Sequence, residues 1–431
     1  MNILFVTGEY PPQQGGVGAY TAELGQALIE LGATVHVLTT QENAADQSAS
    51  PTVPAIPTDL PTVHPLVQKW GWLTPATIRN VAEQVDADWI HVQYQTAAFG
   101  MNPTINFIPY WWQSTIYPSR KVPYHISKNR NGTELFLETI KTQAKRGTTQ
   151  QPNIAWTYHD LLVPYLFPKA GSRIRRWITE RPARDCDLVI ATNLGDYQQL
   201  VERQPDHQRK FANIPIGSNI VGQTLTAAER SSRRQLRGYT NDEFVIAYFG
   251  FLNRSKGGTT LIKTLHILVE AHTNVRLLMI GERVGASDPT NYAYLQEVEA
   301  LIRSLGVEDK VQWTGGQESS AVSADLAACD VLLMPYEDGA SLRRGTLMAG
   351  LANYCAIVTT TPEAPLPELV HERDLLYVPP HDPAAAAAAI DLLMADPALL
   401  DTLRKNAGER SQLFTWQKIA KEHQALYEQY A

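Results

Sequence analysis

The feature that most constrains this chain is a repeated alternation: short uninterrupted apolar runs, each followed by a loop and a helical pattern. Residues 3–6 (Ile-Leu-Phe-Val) form the first run, closed by Thr7-Gly8. A run of that length with no polar residue interleaved predicts a strand buried on both faces, as parallel sheets require. A Pro- and Gly-rich loop covers residues 9–18, after which Leu24, Leu28 and Leu31 recur at helical spacing until Gly32 stops the helix. Residues 35–38 complete a strand–helix–strand unit, and further strands are predicted at 89–92, 154–157 and 188–191. A second series follows the polar stretch 218–242, with strands at 244–249, 275–280, 311–313, 331–334 and 357–359. Strands alternating with helices imply an α/β fold with doubly wound parallel sheets. The expected organisation is a Rossmann-like domain over 1–217, a second over 218–413, and a last helix within 414–431 that packs back on the first. At 431 residues the chain is long enough for two such cores.

Residues 103–151 break the rhythm as an insertion in which Tyr110, Trp111, Trp112, Tyr117 and Tyr124 interleave with Arg120, Lys121, Lys128 and Arg130. Long insertions in compact domains are functional or disordered. A net charge of -7 argues against a general nucleic-acid binder, which needs a dominant basic face. Cys186, Cys329 and Cys355 each adjoin an apolar run at spacings that offer neither a disulfide framework nor a metal cluster, so they read as buried hydrophobes in a reducing compartment. The N-terminus reads as a first strand rather than a signal peptide, and no apolar stretch approaches the roughly 18 residues that a span requires. The protein is expected in the cytoplasm, where the Asn131-Gly132-Thr133 sequon meets no glycosylation machinery.

Ligands of open parallel sheets bind beyond the carboxyl ends of the strands, and this rule sorts the candidate sites. Gly15, Gly16 and Gly18 follow the first strand and precede a helix, where small residues let a ligand reach the helix-start amides; a plain tight turn is the alternative reading. The loop is no dinucleotide fingerprint. Asp86-Ala87-Asp88 and Asp185-Cys186-Asp187 spell Asp-x-Asp, yet both precede their strands, as does Asp330. They read as strand-start residues, and no metal is expected. In the second half, residues 250–258 bring Asn253, Arg254 and Lys256 to the end of their strand, and a lysine beside glycines suits a leaving diphosphate when no metal supplies charge. Asp338-Gly339-Ala340-Ser341-Leu342-Arg343-Arg344-Gly345-Thr346-Leu347 enters a helix, with Ser341 or Thr346 as its N-cap; two arginines and free amides there make an anion site. His159 follows the strand at 154–157, placed to bond a sugar hydroxyl or to serve a structural role. A solvated surface is the bland alternative for Lys256 and for the arginines.

Taken together these residues resemble glycosyltransferase family 4, retaining enzymes with two facing Rossmann-like domains around a deep interdomain cleft (the GT-B type). The likeness rests on Glu9-Tyr10-Pro11-Pro12 with Gly15-Gly16, Tyr158-His159-Asp160, Ile214-Pro215-Ile216-Gly217, Lys256-Gly257, Ala327-Ala328-Cys329-Asp330-Val331 and Phe414-Thr415-Trp416, in the right order. The resemblance implies that Gly15-Gly16 face the acceptor and the donor phosphates, His159 the transferred sugar, and Lys256 the diphosphate. Gly281 and Thr314-Gly315 would receive nucleobase and ribose. Lys256, His159 and Arg344 would form the catalytic set, with Asn253, Ser341, Arg343, Gly345 and Thr346 on the donor. It implies a nucleotide-sugar donor, a hydroxyl acceptor (glycan, lipid-linked or small molecule) and no cofactor. Two departures mark a variant branch. Phe251 stands where the family usually has arginine, and the usual glutamate pair falls at Ser341 and Ala349, or at Glu337 and Gly345 in a shifted register. A catalytically degenerate nucleotide-sugar-binding partner and a nucleotide-sugar epimerase are the rival functions. The basic residues of 169–184, beside Ile174, Trp177 and Ile178, add a peripheral membrane contact as a candidate, at the inner membrane face.

Overall fold

The computed structural model describes residues 1–13, 15–41, 60–116, 151–162, 171–284 and 289–431. Tyr117, Arg120, Lys121, Tyr124, Lys128, Arg130, the 131–133 sequon and Lys169 lie outside the described residues.

The chain divides into two compact units: Met1–Ile190, Leu200–Ala212 and Gln424–Ala431 in the first, Ala191–Gln199 and Asn213–His423 in the second. The apolar runs become the central strands. The first sheet comprises β1 (Asn2–Thr7), β2 (Thr34–Thr40), β3 (Thr62–Val67), β4 (Trp89–Tyr94), β5 (Asn153–Tyr158), β6 (Leu188–Ala191) and β7 (Phe211–Asn213), in the order β3-β2-β1-β4-β5-β6-β7. The second comprises β8 (Phe244–Phe249), β9 (Val275–Ile280), β10 (Val311–Trp313), β11 (Val331–Met334), β12 (Ala356–Thr360) and β13 (Leu376–Val378), in the order β10-β9-β8-β11-β12-β13. Neighbours pair in parallel, for example Phe5 with Val37 and His91, and Ala247 with Leu278 and Leu332. Every residue of β4, β6, β11 and β12 is buried, the pattern of strands covered on both faces. These are two Rossmann-like, doubly wound sheets of the kind the alternation predicts. In each, the strand order reverses beside the first strand of the unit, between β1 and β4 and between β8 and β11. Such a switch point leaves a crevice where successive loops part in opposite directions.

The strand-start aspartates each satisfy an amide within the first two residues of a neighbouring strand. Asp88 Oδ2 accepts from Asn2 N at 2.7 Å, Asp187 Oδ2 from Ile154 N at 2.8 Å, and Asp330 Oδ2 from Val245 N at 2.7 Å. Asp330 also pairs with Arg230 at 2.6 Å and with the buried Arg234 at 3.1 Å. The three cysteines are buried free thiols. The last helix, Trp416–Tyr430, returns to the first unit from Gln424 onward. Tyr427 lies wholly buried there, its ring 5.1 Å from that of Trp89 and its hydroxyl 2.5 Å from His91 Nδ1. Among the described residues no single helix is long and apolar enough to cross a membrane.

Candidate functional site

In the second unit the loops after β8 and β11 part at the switch point, and both carry cationic groups. The first is shaped by local rules. Asn253 Oδ1 caps a short 3-10 turn (Arg254–Lys256) by accepting from Lys256 N at 3.1 Å. Gly257 then takes φ +70°, and a side chain there would run within 1.8 Å of the Pro335 carbonyl oxygen, so only glycine lets the loops touch. The Glu337 amide donates to Ser255 O at 2.9 Å and ties the two loops together. The helix Gly258–Ala271 begins at once, so its start follows directly on the loop after β8.

Lys256 is the centre of this arrangement. It is buried, at 8% exposure, with no carboxylate or carbonyl acceptor for its ammonium among the described residues. Its Nζ lies 4.1 Å from the centroid of the Phe251 ring, so the aromatic face that replaces the family's usual arginine supports the charge as a cation–π contact. Gly250, at φ +101°, keeps the space open: a Cβ there would stand 2.8 Å from Lys256 Nζ and 3.1 Å from Thr346 Cγ2. Burial first, then the like charge of Arg344, pushes the Lys256 ammonium down to about 8.

The second loop supplies Arg344, whose guanidinium lies 4.7 Å from the centroid of the Tyr336 ring and pairs with Asp338. Its Nε is buried with no acceptor in reach among the described residues. Arg343 stands 3.7 Å from the same Asp338 carboxylate. The helix that follows is Gly345–Ala352, and here the sequence reading needs correction. Neither Ser341 nor Thr346 caps it: Arg344 occupies the N-cap position and no side chain bonds the helix start. Ser341 Oγ instead accepts weakly from Arg343 N at 3.4 Å, and Thr346 Oγ1 bonds Tyr336 OH at 2.7 Å. The uncapped helix start leaves its first amides without intrahelical partners beside two arginines. A buried lysine and an arginine with unfilled donor capacity, next to an uncapped helix start, have the chemistry that a multiply charged anion requires.

Along the same rim, Gly281 (φ +107°) and Gly315 (φ +69°) form an antiparallel bridge, and Thr314 Oγ1 accepts from Gly281 N at 3.0 Å. The wall this makes at the ends of β9 and β10 is backbone. Two carboxylates on this rim have roles the sequence does not reveal: Asp338, part of the candidate segment, which holds both arginines, and Glu282, whose Oε1 fills the space a Cβ at Gly316 would occupy. Only the absence of a side chain at Gly316 hints at the latter.

In the first unit, His159 follows β5 as expected. Its Nε2 donates to Gln93 Oε1 at 3.0 Å, and its ring stands edge-on to Tyr20 at 4.6 Å, so its orientation is fixed. The Gly15-Gly16 loop differs from the sequence reading. Val17 N and Gly18 N, the amides offered to a ligand, are both taken by Glu9 Oε1, at 3.0 and 3.2 Å. A Cβ at Gly15 would collide with that carboxylate, so this glycine admits the chain's own anion. Nothing lies within 4 Å of a Cβ built at Gly16. Glu9 belongs to the Glu9-Tyr10-Pro11-Pro12 motif, but no local sequence signal shows that it turns back on the helix.

Comparison with known proteins agrees with these two units. The model for glycosyl transferases group 1 matches residues 230–410, and that for Glycosyltransferase Family 4 matches residues 14–106. The chain belongs to glycosyltransferase family 4. Family members similar to it include a D-inositol 3-phosphate glycosyltransferase from Corynebacterium jeikeium, 25% identical over 260 residues, covering 59% of this chain and 60% of the relative. Mannosylfructose-phosphate synthase from Agrobacterium fabrum is 26% identical over 251 residues, covering 57% and 53%. The chain thus spans about three-fifths of the length of the curated relatives it matches. Among solved structures, sucrose-phosphate synthase from Thermosynechococcus elongatus shares the fold at 20% identity, TM-score 0.69, over 99% of this chain and 98% of that one. Anabaena Alr3699/HepE, solved with UDP and glucose, shares it at 18% identity and TM-score 0.67 over the whole of both chains.

Proposed function

We propose that this chain is a retaining glycosyltransferase that moves a hexose-type unit from a nucleoside diphosphate donor to a hydroxyl acceptor, with protein cations in place of a metal. The observation that carries the reading is Lys256: a buried ammonium without a counter-charge among the described residues, beside the orphaned Nε of Arg344 and an uncapped helix start. Burying such a charge is costly unless a ligand compensates it, and a pyrophosphate does so. In the reaction the bond from the anomeric carbon to the phosphate oxygen breaks, the acceptor oxygen bonds that carbon on the same face, and the acceptor's proton passes to the departing phosphate. Lys256, Arg344 and the amides at Gly345 and Thr346 stabilise the charge that develops on the leaving group. Arg343 and Ser341 frame that loop, Asn253 holds the Lys256 turn, Gly281 and Thr314-Gly315 receive base and ribose, and His159 bonds the sugar. Gly16 is left to the acceptor side, since Glu9 already fills the helix start beside it.

A panel of nucleoside diphosphates and their sugars, screened by thermal shift and then by product analysis, tests this. A tight donor raises the melting temperature by mass action, and the matching sugar is transferred. Replacement of Lys256 by Ala is expected to lower kcat by roughly 10²–10³-fold, as loss of one preorganised charge-stabilising donor does. Unchanged turnover in K256A sinks the assignment. Donor binding with neither transfer nor slow donor hydrolysis supports the degenerate partner instead.

A further inference from the structure

We propose that the first unit docks on an anionic lipid bilayer through an arginine-flanked aromatic strip. The inference rests on that unit alone and does not depend on the donor reading.

Trp72 and Leu73 are 78% and 84% exposed, an unusual display for two large apolar side chains in sequence. They are not isolated. The Trp72 ring lies 5.5 Å from that of Trp111, Trp111 stacks on Phe107 at 5.9 Å, and Phe107 meets Trp177 edge-on at 6.0 Å. One continuous strip therefore joins two exposed tryptophans from separate segments. On the helix Ser172–Glu180, Ile174 and Trp177 are exposed one turn apart, while Thr179 faces inward. Beside that apolar row runs a basic one, Arg173 and Arg176, also one turn apart and exposed. Neither of these arginines has a carboxylate partner among the described residues. Arg181 lies over the rings of Tyr110, Trp177 and Phe107, at 4.4, 5.1 and 5.4 Å.

The chain as a whole carries a net charge of -7, so a basic row set against exposed tryptophans is a local departure that points to an anionic partner. Tryptophan and arginine together suit the headgroup layer, where the indole straddles the apolar boundary and the guanidinium meets phosphate. A sugar ring needs an open aromatic face, and Arg181 already lies over Phe107 and Trp177. The protruding aliphatic groups Leu73 and Ile174 suit acyl chains instead.

The full chain, floated with vesicles of phosphatidylcholine alone or mixed with phosphatidylglycerol, gives the test. Flotation is expected with the anionic vesicles only, and it weakens as salt screens the arginines. The pair R173Q/R176Q is expected to lower the partition coefficient about 30-fold. The pair W72S/W177S lowers it while leaving the salt dependence in place. Melting temperatures of both pairs, measured alongside, separate loss of binding from loss of fold, and R173Q/R176Q, at exposed positions, is expected to keep the wild-type value. Absence of flotation, equal flotation on both vesicles, or wild-type partitioning by either pair overturns the proposal. So does retention on an immobilised neutral glycan that W72S/W177S abolishes while no vesicle floats the chain.

Discussion

Lys256 concentrates the chemistry of the second unit in one side chain, and its titration gives a prediction with a definite sign. The folded group sits at about 8, below its ordinary 10.5. Below pH 8 both folded and unfolded chains hold the proton, and the cost of the buried charge is present in full. Between about 8 and 10.5 the folded form has released the proton while the unfolded form keeps it, so ligand-free stability rises with pH across that window. Lys256→Met removes the charge and keeps the stem. It is expected to stabilise the ligand-free second unit at pH 7 by on the order of 2–3 kcal/mol, an advantage that fades above pH 10. Differential scanning calorimetry checks this; a variant that melts below the wild type at pH 7 contradicts it. A bound diphosphate reverses the preference, so affinity should fall as pH rises through about 8, approaching tenfold per unit, and K256M should flatten that slope in titration calorimetry. Lys256 and Arg344 were readable in the sequence because the strand-end rule fixes where such residues stand. Glu9 and Asp338 were not, because a carboxylate that folds back on its own chain leaves no periodic or spacing signal.

At the scale of elements, the three strand-start aspartates turn a motif that looks metal-binding into sheet architecture. Their cost on removal should follow burial. Asp88 is exposed, so D88A should cost about 0.5–1.5 kcal/mol. D187A, which strips the acceptor from a partly buried amide, should cost about 1–3 kcal/mol. D330A leaves the Arg234 guanidinium buried and unpaired and should cost about 3–5 kcal/mol. Denaturant melts establish the order, and transfer assays on D88A and D187A with and without a chelator should show turnover retained. Lost turnover at unchanged stability in either variant contradicts the structural role. The central strands were legible because burial on both faces writes an unbroken apolar run. β3 was not, since most of Thr62–Val67 lies open at the sheet edge and includes Pro65. β13 has three residues, too few to show any period. The start of the helix Gly345–Ala352 is not legible from capping residues, because its N-cap is Arg344 and no side chain bonds it.

For the whole molecule, the α/β class and the paired parallel sheets followed from the alternation of runs. The aromatic strip of the first unit did not, because Trp72, Trp111 and Trp177 stand in three separate segments. The return of the last helix carries its own prediction. Truncation after His423 removes the Tyr427 hydroxyl from His91 and the Tyr430 carbonyl from Asn153, 3.2 Å away, and uncovers Trp89. Hydrogen exchange should then speed up in β4 and β5 while β8 and β9 stay protected. Equal protection of β4 in the shortened chain contradicts this. The same geometry sets translation against completion. All of Asn213–His423 leaves the ribosome between the bulk of the first unit and the eight residues that close it. The half made first is finished last. Until then its seam over Trp89 and His91 stays bare, the surface that a nascent-chain chaperone would meet.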